Sequence, residues 1–208
     1  MNRREFLTTT LAAGATTSTA SAVVAADQGR AIKIVGISCS PRKGKTTAAS
    51  LKICLEAAKA VHPAIATELI ELAGSFIGVY DPGDPKANQG SFADLIPVLS
   101  SPDVAAIVVG TPVYFGNMSS LCKAFLDHCM VFRQQDFALS GKVAGIVAVG
   151  AGRNGGQELT LQPVHAALLC QEMIALRDGQ PTAHFGPTMI NANDDIRTDE
   201  LGIGTANH

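Results

Sequence analysis

The stretch Ala31 to Thr47, AIKIVGISCSPRKGKTT, decides the fold. Ile32 to Ile37 is a short run rich in β-branched residues with one charge, Lys33, the pattern of a strand buried on both faces of a parallel sheet. Ser38 to Lys45 then brings hydroxyls, a Pro, a Gly and the cations Arg42, Lys43 and Lys45, and a helical pattern starts at Thr46. The stretch therefore reads as strand, polar loop and helix start.

A helix start leaves backbone N–H groups unpaired and carries partial positive charge, so it receives anions readily. Ser40, Thr46 and Thr47 add hydroxyl donors, and a phosphate is the natural guest. Hydrogen bonds to a charged group contribute about 1.5–3 kcal/mol each, so a few of them hold a phosphorylated ligand at micromolar affinity. The plain alternative is an ordinary connection with basic residues on its surface. A rival phosphate reading is a P-loop nucleotide hydrolase, since Gly44-Lys45-Thr46 matches the end of G-x-x-x-x-G-K-[ST]. Its first glycine position holds Cys39, however. The best strand for a Mg²⁺-binding acid, Ala105 to Val109, runs instead into Gly110, Thr111 and Pro112.

Upstream, paired Arg3 and Arg4 open a mildly apolar Thr/Ala stretch that ends in the small residues Ala25 and Ala26 before Asp27. Charge, apolar segment and cleavage site stand in the order of a twin-arginine export signal over residues 1–26, which predicts a periplasmic protein with one domain over 27–208. The Thr-rich segment, broken by Gly14, makes a poor membrane span, so no stable membrane insertion of the mature chain is expected. A hydrophobic content of 47% with 16% charged residues suits one compact core. The net charge of −2 and the lack of long basic runs argue against nucleic acid and for small-molecule partners.

Downstream, Leu51, Cys54, Leu55, Ala58 and Val61 recur at helical spacing, and Thr67 to Leu72 reads as a second strand. Gly74 to Gly90 reads as a long loop, and Phe92, Leu95, Ile96 and Leu99 form the stripe of a second helix. The third strand, Ala105 to Gly110, is wholly apolar and expected at the centre of the sheet. Its exit, Thr111-Pro112-Val113-Tyr114-Phe115-Gly116-Asn117-Met118, is a loop too apolar for its place unless it covers something flat or plugs the core. A helix follows from Ser119. The fourth strand, Val143 to Val149, leads into Gly150-Ala151-Gly152-Arg153-Asn154-Gly155-Gly156-Gln157-Glu158, where missing side chains let backbone N–H groups approach a ligand or serve a mobile turn. This strand-and-helix alternation predicts an α/β doubly wound fold. Its five-stranded parallel sheet has the order 2-1-3-4-5, with all three loops at the strands' C-terminal ends around the switch point. Phosphate loop, aromatic cover and bare backbone together match flavin mononucleotide, FMN, with a phosphate at one end and a flat ring at the other.

These motifs, Cys39 to Thr47, Thr111 to Met118 with Lys123, Phe125 and Asp127 behind it, and Gly150 to Glu158, resemble the NAD(P)H-dependent FMN reductases and related quinone reductases of the flavodoxin-like fold. The resemblance spans Ile32 to about Asn193. It implies that Ser40, Arg42, Lys45, Thr46 and Thr47 hold the phosphate. Pro112, Val113, Tyr114, Phe115, Gly116 and Asn117 would flank the ring, and Ala151, Gly152, Arg153, Gly155 and Gly156 would meet its other edge. It further implies NAD(P)H as donor, a quinone or free flavin as small-molecule electron acceptor, and a homo-oligomer. Relatives commonly carry Gly at the Cys39 position and Gly and Asn where Lys45 and Thr46 stand, so this phosphate loop has extra positive charge.

Similar iron-sulfur flavoproteins carry a compact cysteine cluster. Here Cys39, Cys54, Cys122, Cys129 and Cys170 are scattered with no C-x-x-C pair, which argues against a cluster. Cys122 and Cys129 stand about 10 Å apart by helical rise, too far for a disulfide. Cys39, at a helix start among cations, is expected to favour thiolate in the absence of FMN. His128, His165 and His184 show no metal-binding spacing. No metal and no catalytic acid or base is assigned, because the cofactor carries the chemistry. The chain ends soon after Asp194 to Glu200, where relatives often continue into a covering helix. The expected function is an exported flavoprotein oxidoreductase, with a non-catalytic flavin-binding electron carrier or sensor as the alternative. Outside the cytoplasm NAD(P)H is scarce, so a membrane quinol or protein carrier is the expected donor there.

Overall fold

The computed structural model describes residues 32–84, 86, 89–180 and 182–208. The export signal expected over residues 1–26 lies outside the described residues. In chain order the elements are β1 (Ile32–Ser38), α1 (Thr46–Val61), β2 (Ile65–Glu71), a 3₁₀ turn (Gly90–Leu95), α2 (Ile96–Leu99), β3 (Val104–Tyr114), β4 (Asn117–Met118) and α3 (Ser120–His128). They continue as α4 (Met130–Gln134), β5 (Val143–Gly150), α5 (Gln157–Leu169), β6 (Ile174–Ala175), β7 (Thr188–Ile190) and α6 (Glu200–Ala206).

The sheet runs β2-β1-β3-β5-β6, with β4 paired to β3 and β7 paired to β5. All pairings are parallel except that of β3 with β4. The α/β layering and parallel sheet of the sequence reading are present, but the count of five strands is corrected to seven among the described residues. The fifth position is split: β6 pairs with the first residues of β5 (Val143↔Ile174) and β7 with its last (Ala148↔Thr188). Between the two pairings Gly186 and Pro187 stand directly before β7, and neither suits a continuous strand. The expected helix from Phe92 to Leu99 is also corrected, to a 3₁₀ turn and a single α turn, with Pro97 in the first turn of α2.

Side chains alternate across the sheet and build two cores. On one face Val35, Ile37, Ile107, Val109 and Ile146 pack with Phe92, Phe125, Phe132 and Leu161. On the other, Val147, Val149 and Val108 meet Leu51 of α1, Met189 of β7 and Ala206 of α6. Gly110 brings α1 close, because a Cβ built there would stand 2.8 Å from Leu51 Cδ1 and 3.1 Å from Thr47 Cγ2. The helix is thereby set with its first turn at the C-terminal ends of β1 and β3. The short α6 packs on this face through Ala206 and Ile203.

Candidate cofactor site

The head of α1 carries no side-chain cap: Lys45 sits extended at the N-cap, and Thr46, Thr47 and Ala48 are buried. The first bond into the helix is Ala49 N–H to Lys45 C=O at 3.0 Å. The N–H groups of Thr46, Thr47 and Ala48 thus find no acceptor among the described residues. Uncapped and closely packed, this helix end is a cradle for an anion. Ser40 is committed within the loop, its Oγ accepting from Arg42 N at 3.1 Å and donating to Arg42 C=O at 3.3 Å.

The loop's charges are engaged by residues that the sequence reading did not select. Asp194 bridges Arg42 Nη1 at 2.5 Å and Lys45 Nζ at 3.0 Å. Lys45 first and Arg42 second hold its carboxyl below the usual carboxylate range. Glu71, at the end of β2, accepts from Gly44 N at 2.6 Å. Both acids were visible in the sequence, but nothing local connects Asp194 to Arg42, 152 residues away.

The stretch Thr111 to Met118, expected as a loop, continues β3 to Tyr114 and turns back into β4 through Phe115 and Gly116, both with positive φ. This corrects the alternative in which Tyr114 and Phe115 plug the core: Phe115 is fully exposed at the hairpin tip and Tyr114 is 44% exposed. Pro112 and Val113 are half-buried beneath the tip, and Asn117 uses its side chain to accept from Met118 N at 2.8 Å. Beyond the hairpin, Ser119 caps α3 by accepting from Cys122 N and donates to Cys39 C=O at 2.7 Å, which ties hairpin and phosphate loop together.

The glycine loop meets the hairpin backbone to backbone. Gly156 has φ +96, and a Cβ on it would come within 3.0 Å of Gly116 Cα, so glycine is required on both counts. Ala151 and Gly155 are exposed, Gly152 is half-buried, and Gln157 Nε2 secures the loop by donating to Gly152 C=O at 2.7 Å. Arg153 turns away from the other loops. Its guanidinium donates to Thr188 C=O at 2.9 Å and pairs with Asp199, which is buried and also accepts from Ile190 N and Gly202 N. Arg153 therefore anchors the loop to β7 and α6.

Cys39 is corrected as a reactive thiol: it is fully buried, and burial first, then the neighbouring Cys122 thiol, raises its pKa well above the ordinary value. The cysteines lie on β1's exit, α1, α3 and the ends of α3 and α5, and three of them are buried in the core. They do not form a shared ligand set; among the described residues no group of three His, Cys, Asp or Glu side chains is placed to hold a metal. His128 and His165 are buried and bonded to Gly78 C=O and Phe185 C=O, which gives them packing roles. His184 lies half-exposed, 3.7 Å from Asp178 and 4.0 Å from Glu158.

The model of the NADPH-dependent FMN reductase family matches residues 32–188, which hold all three loops. The chain belongs to that family. An iron-sulfur flavoprotein of Methanocaldococcus jannaschii is 38% identical over 84% of this chain and 92% of its own length. An NAD(P)H dehydrogenase (quinone) of Paracoccus denitrificans is 42% identical over 50% of this chain and 44% of its own. Among solved structures, an NADH:FMN oxidoreductase superposes with a TM-score of 0.58 at 20% identity, covering 85% of this chain and 86% of that one. A flavodoxin, WrbA-like protein of Agrobacterium tumefaciens gives 0.58 at 19%, covering 85% and 90%. The fold is flavodoxin-like. As a member of this family the protein is an NADPH-dependent FMN reductase-like enzyme, and FMN is its cofactor.

The residues present fit that cofactor. The uncapped head of α1 suits the phosphate, and the hairpin and glycine loop meet on the same side of the sheet with exposed aromatic and bare backbone surface for the ring.

Proposed function

We propose that the protein holds the FMN phosphate at the head of α1 and passes electrons through the ring from NAD(P)H to a small acceptor, a quinone or free flavin. The observation that carries this reading is the buried, uncapped first turn of α1 standing beside the hairpin and the glycine loop. Thr46, Thr47 and their backbone N–H groups bind the phosphate, with Ser40 shaping the loop and Arg42 and Lys45 supplying charge. Pro112 to Asn117 cover one part of the ring. Ala151, Gly152, Gly155 and Gly156 present backbone to its other edge, and Arg153 positions them. When bound, FMN supplies the redox chemistry; the chain binds and orients it.

The Paracoccus denitrificans relative, named for quinone reduction, supports a quinone as acceptor. Export through Arg3 and Arg4 to the periplasm belongs to the same proposal and replaces NAD(P)H there by a quinol or protein carrier. A homo-oligomer is proposed too, on the fully exposed Phe115 and the exposed Leu159, which lies against Gly116. Among the described residues no helix is long and apolar enough to cross a membrane.

The test is to denature the purified protein and identify the released flavin. The native protein's visible absorbance is then followed anaerobically with NADPH, NADH and a quinol analogue, and quinone turnover is measured. FMN release with catalytic turnover is expected. A protein that releases no flavin and ignores added FMN sinks the reading, and stoichiometric reduction without turnover points to an electron carrier. Cell fractionation with the intact signal and with Arg3→Lys, Arg4→Lys tests export.

A further inference from the structure

The phosphate loop is an anion site that already holds anions from its own chain. Glu71 takes the Gly44 N–H, and Asp194 spans Arg42 and Lys45 with one carboxylate oxygen on each. The turn that delivers Asp194 is built for the purpose. It begins directly after β7, where Asn191 N donates to Gly150 C=O at 2.7 Å. The Asn191 side chain then accepts from Asp194 N at 2.7 Å, and Ala192 and Asp195 close the turn by exchanging backbone bonds. Asn193 and Asp194 both adopt positive φ, a conformation that Asn and Asp tolerate best among side-chain-bearing residues. Asp195 is fastened in turn by Arg197.

We infer that Asp194 is a selectivity-determining residue of the cofactor site, a carboxylate that stands in for phosphate between Arg42 and Lys45 and keeps FMN affinity below what the two cations alone would give. The inference rests on the phosphate assignment made above. A phosphate dianion on Arg42 and Lys45 meets the charge of Asp194 within a few ångströms, and like charges at that distance repel. Both bridges are exposed, with about half of each cation's side chain in solvent, and exposed pairs are weak and screened by salt. The carboxylate therefore yields to FMN but opposes it, while riboflavin, which has no phosphate, meets no such competition.

The experiment strips the protein of flavin and titrates wild type, Asp194→Asn, Asp194→Ala and Arg42→Ala with FMN and separately with riboflavin, at low and high salt. Removing the Asp194 charge is expected to tighten FMN binding on the order of threefold at low salt, to slow FMN release, and to leave riboflavin unchanged. The gain shrinks as salt rises. If FMN affinity is unchanged or weaker in both Asp194 variants while Arg42→Ala weakens FMN and spares riboflavin, the phosphate assignment stands and the role given to Asp194 is overturned. If Arg42→Ala also leaves FMN binding unchanged, the phosphate assignment itself fails, and the inference with it.

Discussion

Gly110→Ala probes core and cofactor site with a single methyl group. The new Cβ would stand 2.8 Å from Leu51 Cδ1, 2.9 Å from Leu51 Cγ and 3.1 Å from Thr47 Cγ2. Leu51 is fully buried among Val147, Val149 and Met189, so it has no free rotamer to retreat into and α1 must lift. Overpacking of this kind costs about 1–3 kcal/mol. The lower unfolded-state entropy of Ala offsets about 0.4–1 kcal/mol. The expected net loss is about 1–2 kcal/mol, read as a fall in Tm of about 2–8 °C. Because Thr47 is displaced as well, FMN binding should weaken about tenfold, one charge-assisted hydrogen bond's worth, while riboflavin binding changes little. Urea denaturation and flavin titration measure the two effects. Leu51→Ala alone should destabilise by about 2–5 kcal/mol. Combined with Gly110→Ala it should cost less than the sum of the two, since the smaller side chain vacates the clash. Strict additivity, or a Gly110→Ala protein with wild-type stability and FMN affinity, would refute the argument that Gly110 seats α1 against the sheet.

Three further outcomes are expected. Asp199→Ala removes the acceptor for Arg153, Ile190 N and Gly202 N from a buried place, so about 2–4 kcal/mol of stability should be lost in chemical denaturation, with proteolytic nicking in the glycine loop. Alkylation mapped by mass spectrometry should mark Cys170 first, the exposed thiol, and reach Cys39, Cys122 and Cys129 only on unfolding; burial pushes Cys54 up to about 12 and Cys39 well above its ordinary value, so apo and holo protein should both spare Cys39. The Asp195 carboxyl, held down to about 2 by Arg197, should titrate by NMR near that value, against an ordinary 3.8. Because the folded pKa is depressed, whatever Asp195 adds to stability is present above 3.8 and is lost as the pH falls toward 2. Arg197→Ala should return the titration to the ordinary range.

Features that depend on neighbours within a turn or a strand were legible in the residues alone. The run Ile32 to Ile37 is apolar but for Lys33, so it had to be a largely buried strand. Thr46 onward has helical spacing, so α1 had to start where the polar loop ends, and the N–H groups at its head are free for the same reason. Gly150 to Gly156 advertised close backbone approach, although which backbone approached, that of Gly116, was not written there. The extent of β3 was misjudged because Thr111, Pro112 and Gly116 signal a loop locally, whereas a positive-φ Phe115-Gly116 turn lets the strand pair with Asn117 and Met118. Tertiary structure decided everything that joins distant segments. Helical and strand periodicity says which face of an element is apolar, not which charged residue a loop will meet once the elements pack. Asp194 reaches Arg42 and Lys45 only because β7 docks on β5 and its following turn crosses to α1. Arg153 turns to Asp199 only because α6 closes over the same edge. The helix start and three cations beside Cys39 favour thiolate locally, but Ser119 and α3 fold over it, and burial outweighs the helix field on its thiol.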